Sequence, residues 1–531
     1  REGVAFRSPV ADPRDLPARD RRLEVRTLDT PRTPPHSESR AKWEARAARL
    51  REQNLAAAGL WPLPEKTPLR AEVFDRIDLE GYSIEKVYFE SYPRFFCTGN
   101  LYRPRGGSAT PPFPGVLCPH GHWKDGRFYD AGEKAAQELV KGGGETTLDA
   151  ARYHLQARCA GLARLGCIVF HYDMVGVADS KPIGHAAGFA DVAAELRLQS
   201  AMGLQTWNSI RALDFLLSLP EVDAKRIGVT GASGGGTQTF MLCAVDDRPT
   251  AAFPAVMVST AMQGGCICEN CSYLRQDIGN IDIAAVFAPK PLGMSGANDW
   301  TKEIERKGLP ELKALYKLYG AEDKVMAKAH IEFDHNYNQV SREIMYNWFN
   351  KHLALGLKEP VVEKPFVPVP PKELSVYDAE HPRPRDAAEA DRLRQYMAEA
   401  SDKQIMALRP KDADSLKEFQ GVIGTALRVM IHDELPKPED VEGKLVGELV
   451  KRGDLVLRRH LIGRKGAGEQ VPAIMLAGKE PQRDCGSLDS PGWQGEPVQG
   501  RKVGAGGTAN HRWQGDDFRA GRVPDGRVRR C

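Results

Sequence analysis

No apolar run in this 531-residue chain approaches the ~18 residues of a membrane-spanning helix. The nearest, Ala251 to Met262, is short and interrupted by Pro254. An excess of one charge is also missing. Lys and Arg total 74 against 71 Asp and Glu, a net +3, so neither nucleic acid nor a membrane surface is implied as a partner. The ten cysteines are scattered apart from Cys266, Cys268 and Cys271, which excludes the dense disulfide framework of a small secreted scaffold. No blade-length repeat recurs, which argues against a β-propeller. Gly142 to Gly144 is not followed by Lys-Ser/Thr and reads as a flexible loop, not a phosphate cradle. The chain opens on Arg1 rather than Met, so a removed signal peptide and the compartment both stay open. What the chain does have is length and 41% hydrophobic residues, enough for a large sheet and more than one domain.

Residues 1–70 read as an N-terminal extension, with a Pro-, Arg- and Asp-rich stretch to about Ser37 that predicts disorder. From Ser39 a helix is predicted to run to about Gly59, its arginines on a solvated face. Residues 71–357 predict an α/β domain. Ser83–Glu90 and Phe95–Tyr102 alternate polar and apolar, as antiparallel opening strands do. Gly115–Pro119, Cys167–Tyr172, Arg226–Thr230, Ala251–Ser259, Lys290–Ser295 and Val325–Phe333 read as the strands of a mostly parallel sheet. Helices are predicted at about Leu148–Leu165, Ser200–Leu219, Thr237–Val245, Pro310–Tyr319 and Gln339–Leu353. Strands alternating with helices imply a doubly wound sheet of the α/β-hydrolase kind, which binds ligands at its carboxyl edge. A Pro-rich linker, residues 358–385, follows. Residues 386–479 are helical to about Leu435, then predict strands at Leu455–Leu461 and Val471–Leu476. That region reads equally as a truncated second α/β unit or as a small β-rich appendage. Residues 480–531, with ten glycines and eight arginines from Pro481 onward, have too few aliphatics for a core. They predict disorder or a sequence that is not native.

The chemistry concentrates at Gly231-Ala232-Ser233-Gly234-Gly235, which fits G-x-S-x-G between a strand and a helix. Such a turn lifts the serine hydroxyl above the sheet edge and aims the Gly234 N–H at a bound carbonyl oxygen. A serine needs a base to take its proton, and that base needs an acid to fix its tautomer. Asp299 follows the predicted strand ending at Ser295, and His335 follows the last one, in the required order. Glu269, after the preceding strand, is the alternative acid. A second oxyanion donor is expected from the N–H of Gly121 or His122, with His120 fixing that loop. Trp123 and Trp300 are candidates for pocket walls, Trp207 less so, and His330 reads as a packed residue within its strand. Cys266, Cys268 and Cys271 show no fourth ligand nearby, so a buried-thiol loop is expected, with no metal and no cofactor.

From about Trp43 to Pro384 the chain resembles the bacterial α/β-hydrolases grouped with acetylxylan esterases and other carbohydrate esterases, relatives of the dienelactone-hydrolase-like proteins. The resemblance rests on Gly81–Ser91, Cys118–Trp123, the elbow with its third glycine Gly236, Ala288–Leu292 before Asp299, and His335–Asn338. It implies hydrolysis of short acyl esters, often on plant polysaccharides and usually outside the cytoplasm, and it puts the acid at Asp299. The expected partner is a small-molecule or polysaccharide ester; the oligomeric state is open. A serine peptidase or acylaminoacyl hydrolase on the same fold, and a non-catalytic sugar-binding relic, are the rival readings.

Overall fold

A computed structural model describes residues 26–106, 110–185, 187–431, 436–467 and 470–478. They fall into two compact units, one spanning Arg21–Leu435 and a second that contains the residues from Pro436.

The first unit is built on a nine-stranded sheet: β1 (Glu72–Leu79), β2 (Tyr82–Tyr92), β3 (Phe95–Pro104), β4 (Phe113–Leu117), β5 (Ile168–Tyr172), β6 (Val222–Ala232), β7 (Ala251–Ala255), β8 (Leu292–Ala297) and β9 (Val325–His330). Their order is β1-β2-β3-β5-β4-β6-β7-β8-β9. The pairings among β1, β2, β3 and β5 are antiparallel, and those from β5 through β4 to β9 are parallel. β1 has no counterpart in the sequence reading, because its half-buried apolar residues, Val73, Phe74, Ile77 and Leu79, show no clean alternation with its exposed charged ones.

Successive side chains of a strand point to opposite faces, so the sheet carries two cores. Leu117, Phe170 and Val229 pack with Trp207 and Leu213 of the helix Ala201–Ser218 on one face. Val116, Val169 and Phe253 pack with Leu162 and Phe349 on the other. Each such side chain, fully buried, contributes about 1.5–3 kcal/mol. Trp207 belongs to this core: it is buried, stacks on Tyr92, and donates its indole N–H to the Ser91 carbonyl oxygen at 2.8 Å.

Several elements differ from their sequence reading for local reasons. The helix predicted over 148–165 is two, Leu148–Arg152 and His154–Arg164, broken at Tyr153, where φ −121° and ψ 47° leave the helical region. The strand predicted over 251–259 stops at Ala255 because Val256 takes φ 45°. The N-terminal helix Arg40–Ala57 is capped by the Ser39 side chain, and its arginines are not simply solvated: Arg46 reaches the buried Asp282 at 2.6 Å. The Pro-rich stretch 358–385 lies on the sheet, burying Val361, Phe366, Val369 and Leu374 in the second core. Helices Ala390–Ala407 and Ala413–Ile431 follow, the latter accepting the Trp61 indole N–H at the Val422 carbonyl.

The second unit contains an antiparallel sheet of β10 (Val441–Leu445), β11 (Val450–Arg452), β12 (Leu455–Arg464) and β13 (Val471–Gly478). β10 and β11 pair with the two halves of β12, whose opposite edge pairs with β13. The disorder expected to about Ser37 does not hold for residues 26–37, which bond to the loop after β7, Arg32 N–H to the Thr260 carbonyl and Gln263 N–H to the Leu28 carbonyl. The expectation for residues 1–25, and everything expected of residues 480–531, lies outside the described residues.

Candidate active site

Ser233 stands between β6 and the helix Gly234–Val245 with φ 58° and ψ −127°, a backbone conformation that L-residues rarely take. Its N–H donates to the Ala255 carbonyl at the end of β7, and its own carbonyl accepts from Thr237 N–H, which anchors the turn on both sides. The strain is Ser233's alone; none of the glycines around it has positive φ. They serve close approach instead. A Cβ on Gly231 would lie 2.5 Å from the Pro119 carbonyl oxygen, and one on Gly235 would lie at the same distance from that same oxygen. The third glycine, Gly236, faces Met257 and the Ala255 carbonyl, each 2.9 Å from its absent Cβ.

Asp299 and His335 meet. His335 Nδ1 is 2.6 Å from Asp299 Oδ2, and the other carboxylate oxygen accepts the Thr301 N–H, also at 2.6 Å, and the Thr301 hydroxyl. The carboxylate is buried while the imidazole keeps 28% exposure, so the pair faces outward through the ring. Trp300 lies against that ring with centroids 4.7 Å apart, and Trp123 on a near-parallel plane at 6.2 Å. Trp123 also links the histidine to the serine. Its ring comes within 2.5 Å of the point where a Gly121 Cβ would sit, and that point is 2.7 Å from Ser233 Cβ.

The His335 loop is held from behind. The Tyr337 hydroxyl is 2.7 Å from Thr230 Oγ1 on β6, and the Tyr337 carbonyl accepts from the buried Arg342 guanidinium. Arg342 forks onto both oxygens of Glu145 at 2.8 Å and also pairs with Glu363. His330, which ends β9, is half-buried and pairs with Glu332 at 2.9 Å.

The loop after β4 carries His120, Gly121 and His122. His120 is fully buried, accepts the Met174 N–H at Nε2, and so donates from Nδ1 to the Gly121 carbonyl at 2.9 Å. Burial pushes its pKa down to about 3, keeping the ring neutral. Arg158 adds a bond to the Pro119 carbonyl. Gly121 lies against Ser233, and the His122 ring comes within 3.4 Å of the Cβ direction of Gly234.

Glu269, the rival acid, is not at His335. Its Oε2 accepts the N–H groups of Gly265 and Cys266 at 2.8 and 3.2 Å, and its Oε1 lies 3.7 Å from His122 Nδ1. His122 and His185, reaching in from other loops, approach the thiols of both Cys266 and Cys268, while Cys271 stands outside the group. Nothing in the spacing of a lone histidine at 185 signals this, because the four residues come from three separate loops.

No family model matches the sequence. The curated protein named "Putative hydrolase YtaP" of Bacillus subtilis (strain 168) is 25% identical over 275 residues, 50% of this chain and 86% of that one. Among solved structures, Methylesterase BT1017 superposes with a TM-score of 0.54 at 24% identity, over 69% of this chain and 77% of that one. A glucuronoyl esterase from Solibacter usitatus matches with a TM-score of 0.42 at 15% identity, over 64% of this chain and 100% of that one. This chain has the α/β-hydrolase fold and is similar to esterases that carry it.

Proposed function

We propose that the chain is a serine esterase that removes short acyl groups, acetyl above all, from carbohydrate esters. The reading is carried by one observation: a histidine hydrogen-bonded to a buried aspartate at 2.6 Å, on the loops that follow β8 and β9, at the same sheet edge as the strained serine that follows β6. In the reaction Ser233 Oγ attacks the ester carbonyl as His335 Nε2 takes its proton. Asp299 holds the Nδ1–H tautomer and stabilises the imidazolium that forms. The oxyanion accepts from the Gly234 N–H and from Gly121 or His122 N–H. Collapse returns the proton to the leaving alcohol, and water then attacks the acyl-enzyme by the same route. The indoles of Trp123 and Trp300 flank the base and suit the apolar face of a sugar ring. The resemblance to carbohydrate esterases supports the sugar substrate and a site of action outside the cytoplasm.

A fluorophosphonate probe together with p-nitrophenyl esters of increasing chain length and peptide anilides tests this. The probe labels the wild type at Ser233, and acetate esters turn over fastest. Ser233→Ala loses ~10⁴-fold or more in kcat while its melting temperature stays unchanged. Residual activity above about one percent removes Ser233 as nucleophile. Fastest turnover of octanoate esters, or of anilides, replaces the substrate class.

A further inference from the structure

Beside the serine, four ligand atoms from three loops converge on one point. His122 (after β4), His185 (after β5), and Cys266 and Cys268 (after β7) each offer a nitrogen or sulfur within 4.8 Å of all the others. His122 Nε2 is 3.1 Å from His185 Nε2 and 2.9 Å from Cys268 Sγ, while Cys266 Sγ is 3.6 Å from His185 Nε2. A tetrahedral ion with Zn–N of about 2.0 Å and Zn–S of about 2.3 Å sets its ligand atoms roughly 3.3–3.8 Å apart, close to this arrangement.

The surroundings orient the donors toward a cation. His185 Nδ1 lies 2.7 Å from the Val175 carbonyl oxygen, which can only accept, so the proton sits on Nδ1 and the Nε2 lone pair points into the cluster. A backbone carbonyl behind a ligating histidine is the usual outer support of a metal site. Gly176, at φ 80°, makes this approach feasible: a Cβ there would fall 2.3 Å from His185 N. Glu269 Oε1 stands on the far side of the His122 ring. Two imidazoles and two thiols are a donor set for a borderline-soft ion that takes four ligands.

We propose that His122, His185, Cys266 and Cys268 bind one zinc-class divalent ion. All four positions are filled by protein, so the ion is a clamp that leaves no site for a reactive water. It ties the His122 loop, which carries the candidate oxyanion donors, to the loops after β5 and β7. This stands whether or not the chain hydrolyses esters.

The test uses the full chain, reduced and without a polyhistidine tag. Elemental analysis finds about one zinc per chain. Cys266→Ser, Cys268→Ser and His185→Gln each bring the metal to background, and Cys271→Ser retains it. Chelation lowers the wild-type melting temperature and leaves that of Cys266→Ser unmoved. Cobalt(II) added to the stripped wild type produces a thiolate-to-cobalt charge-transfer band and intense tetrahedral d–d absorption. The cobalt titration of the wild type decides the matter even where a variant fails to fold. The proposal is overturned if the reduced wild type takes up neither zinc nor cobalt stoichiometrically. It also falls if a Cys266–Cys268 disulfide is mapped in the native chain, or if Cys271→Ser strips the metal as Cys266→Ser does.

Discussion

Asp299 and Glu269 are buried carboxylates on loops leaving neighbouring strands, β8 and β7, at one edge of the sheet, yet each faces a different histidine. Asp299 stands two residues beyond the end of β8, on a turn too short to wander. Thr301 occupies one of its oxygens and leaves the other for His335 Nδ1. Glu269 sits in a long excursion whose own backbone N–H groups, at Gly265 and Cys266, take one of its oxygens. The other is left beside His122. Two acids of similar chemistry are thus separated by loop length and by which local donors claim their first oxygen. One faces the histidine we propose as the base, the other the side we assign to a metal.

The sharpest way to break this division is to neutralise each acid in turn. Asp299→Asn should lower kcat by ~10⁴-fold, because His335 loses its tautomer and the support for its positive charge. Glu269→Gln should leave kcat within about tenfold of wild type. The opposite ranking in steady-state rates would move the acid to Glu269.

The next largest effect is on stability, at the support of the His335 loop. Arg342→Leu strands Glu145 and Glu363 as unpaired buried carboxylates, which costs about 3–5 kcal/mol. Burial already raises the Glu145 pKa even with Arg342 in place, so little compensating hydration is at hand. Urea unfolding monitored by circular dichroism reads the loss, and a change under about 1 kcal/mol would mean that Arg342 is dispensable to the loop.

The smallest effect sharpens the other half. Glu269→Gln should weaken zinc retention by about 10- to 100-fold in a chelator competition, the usual cost of removing an outer-shell partner. Unchanged retention would show that His122 is oriented without it.

The alternation of Ser83–Glu90 and the apolar runs at 115–119 and 167–172 made the inner sheet legible, although β2 proves buried on both faces. β1 escaped because Glu72–Leu79 runs at the sheet's edge with a register shift between Phe74 and Ile77 that breaks the alternation of its half-buried apolar residues. The turn at Val256 escaped too, as a β-branched residue gives no local signal for positive φ. Ser233, Asp299 and His335 could be picked out as candidates because they fall on the loops that follow β6, β8 and β9, where chain order carries geometry. His185, Tyr337 and Arg342 were not, because their roles depend on loops that approach only through space.

The close contacts at Gly121, Gly231 and Gly235 bear on how such a site diversifies. An added methyl at any of the three would collide with facing backbone at 2.5–2.7 Å, so selection has no small step available there. Evolvability is therefore confined to the walls. A laboratory library seeking new specificity gains nothing by randomising the glycines, and its productive variants should accumulate at Trp123 and Trp300, whose half-exposed rings can be trimmed without moving the main chain.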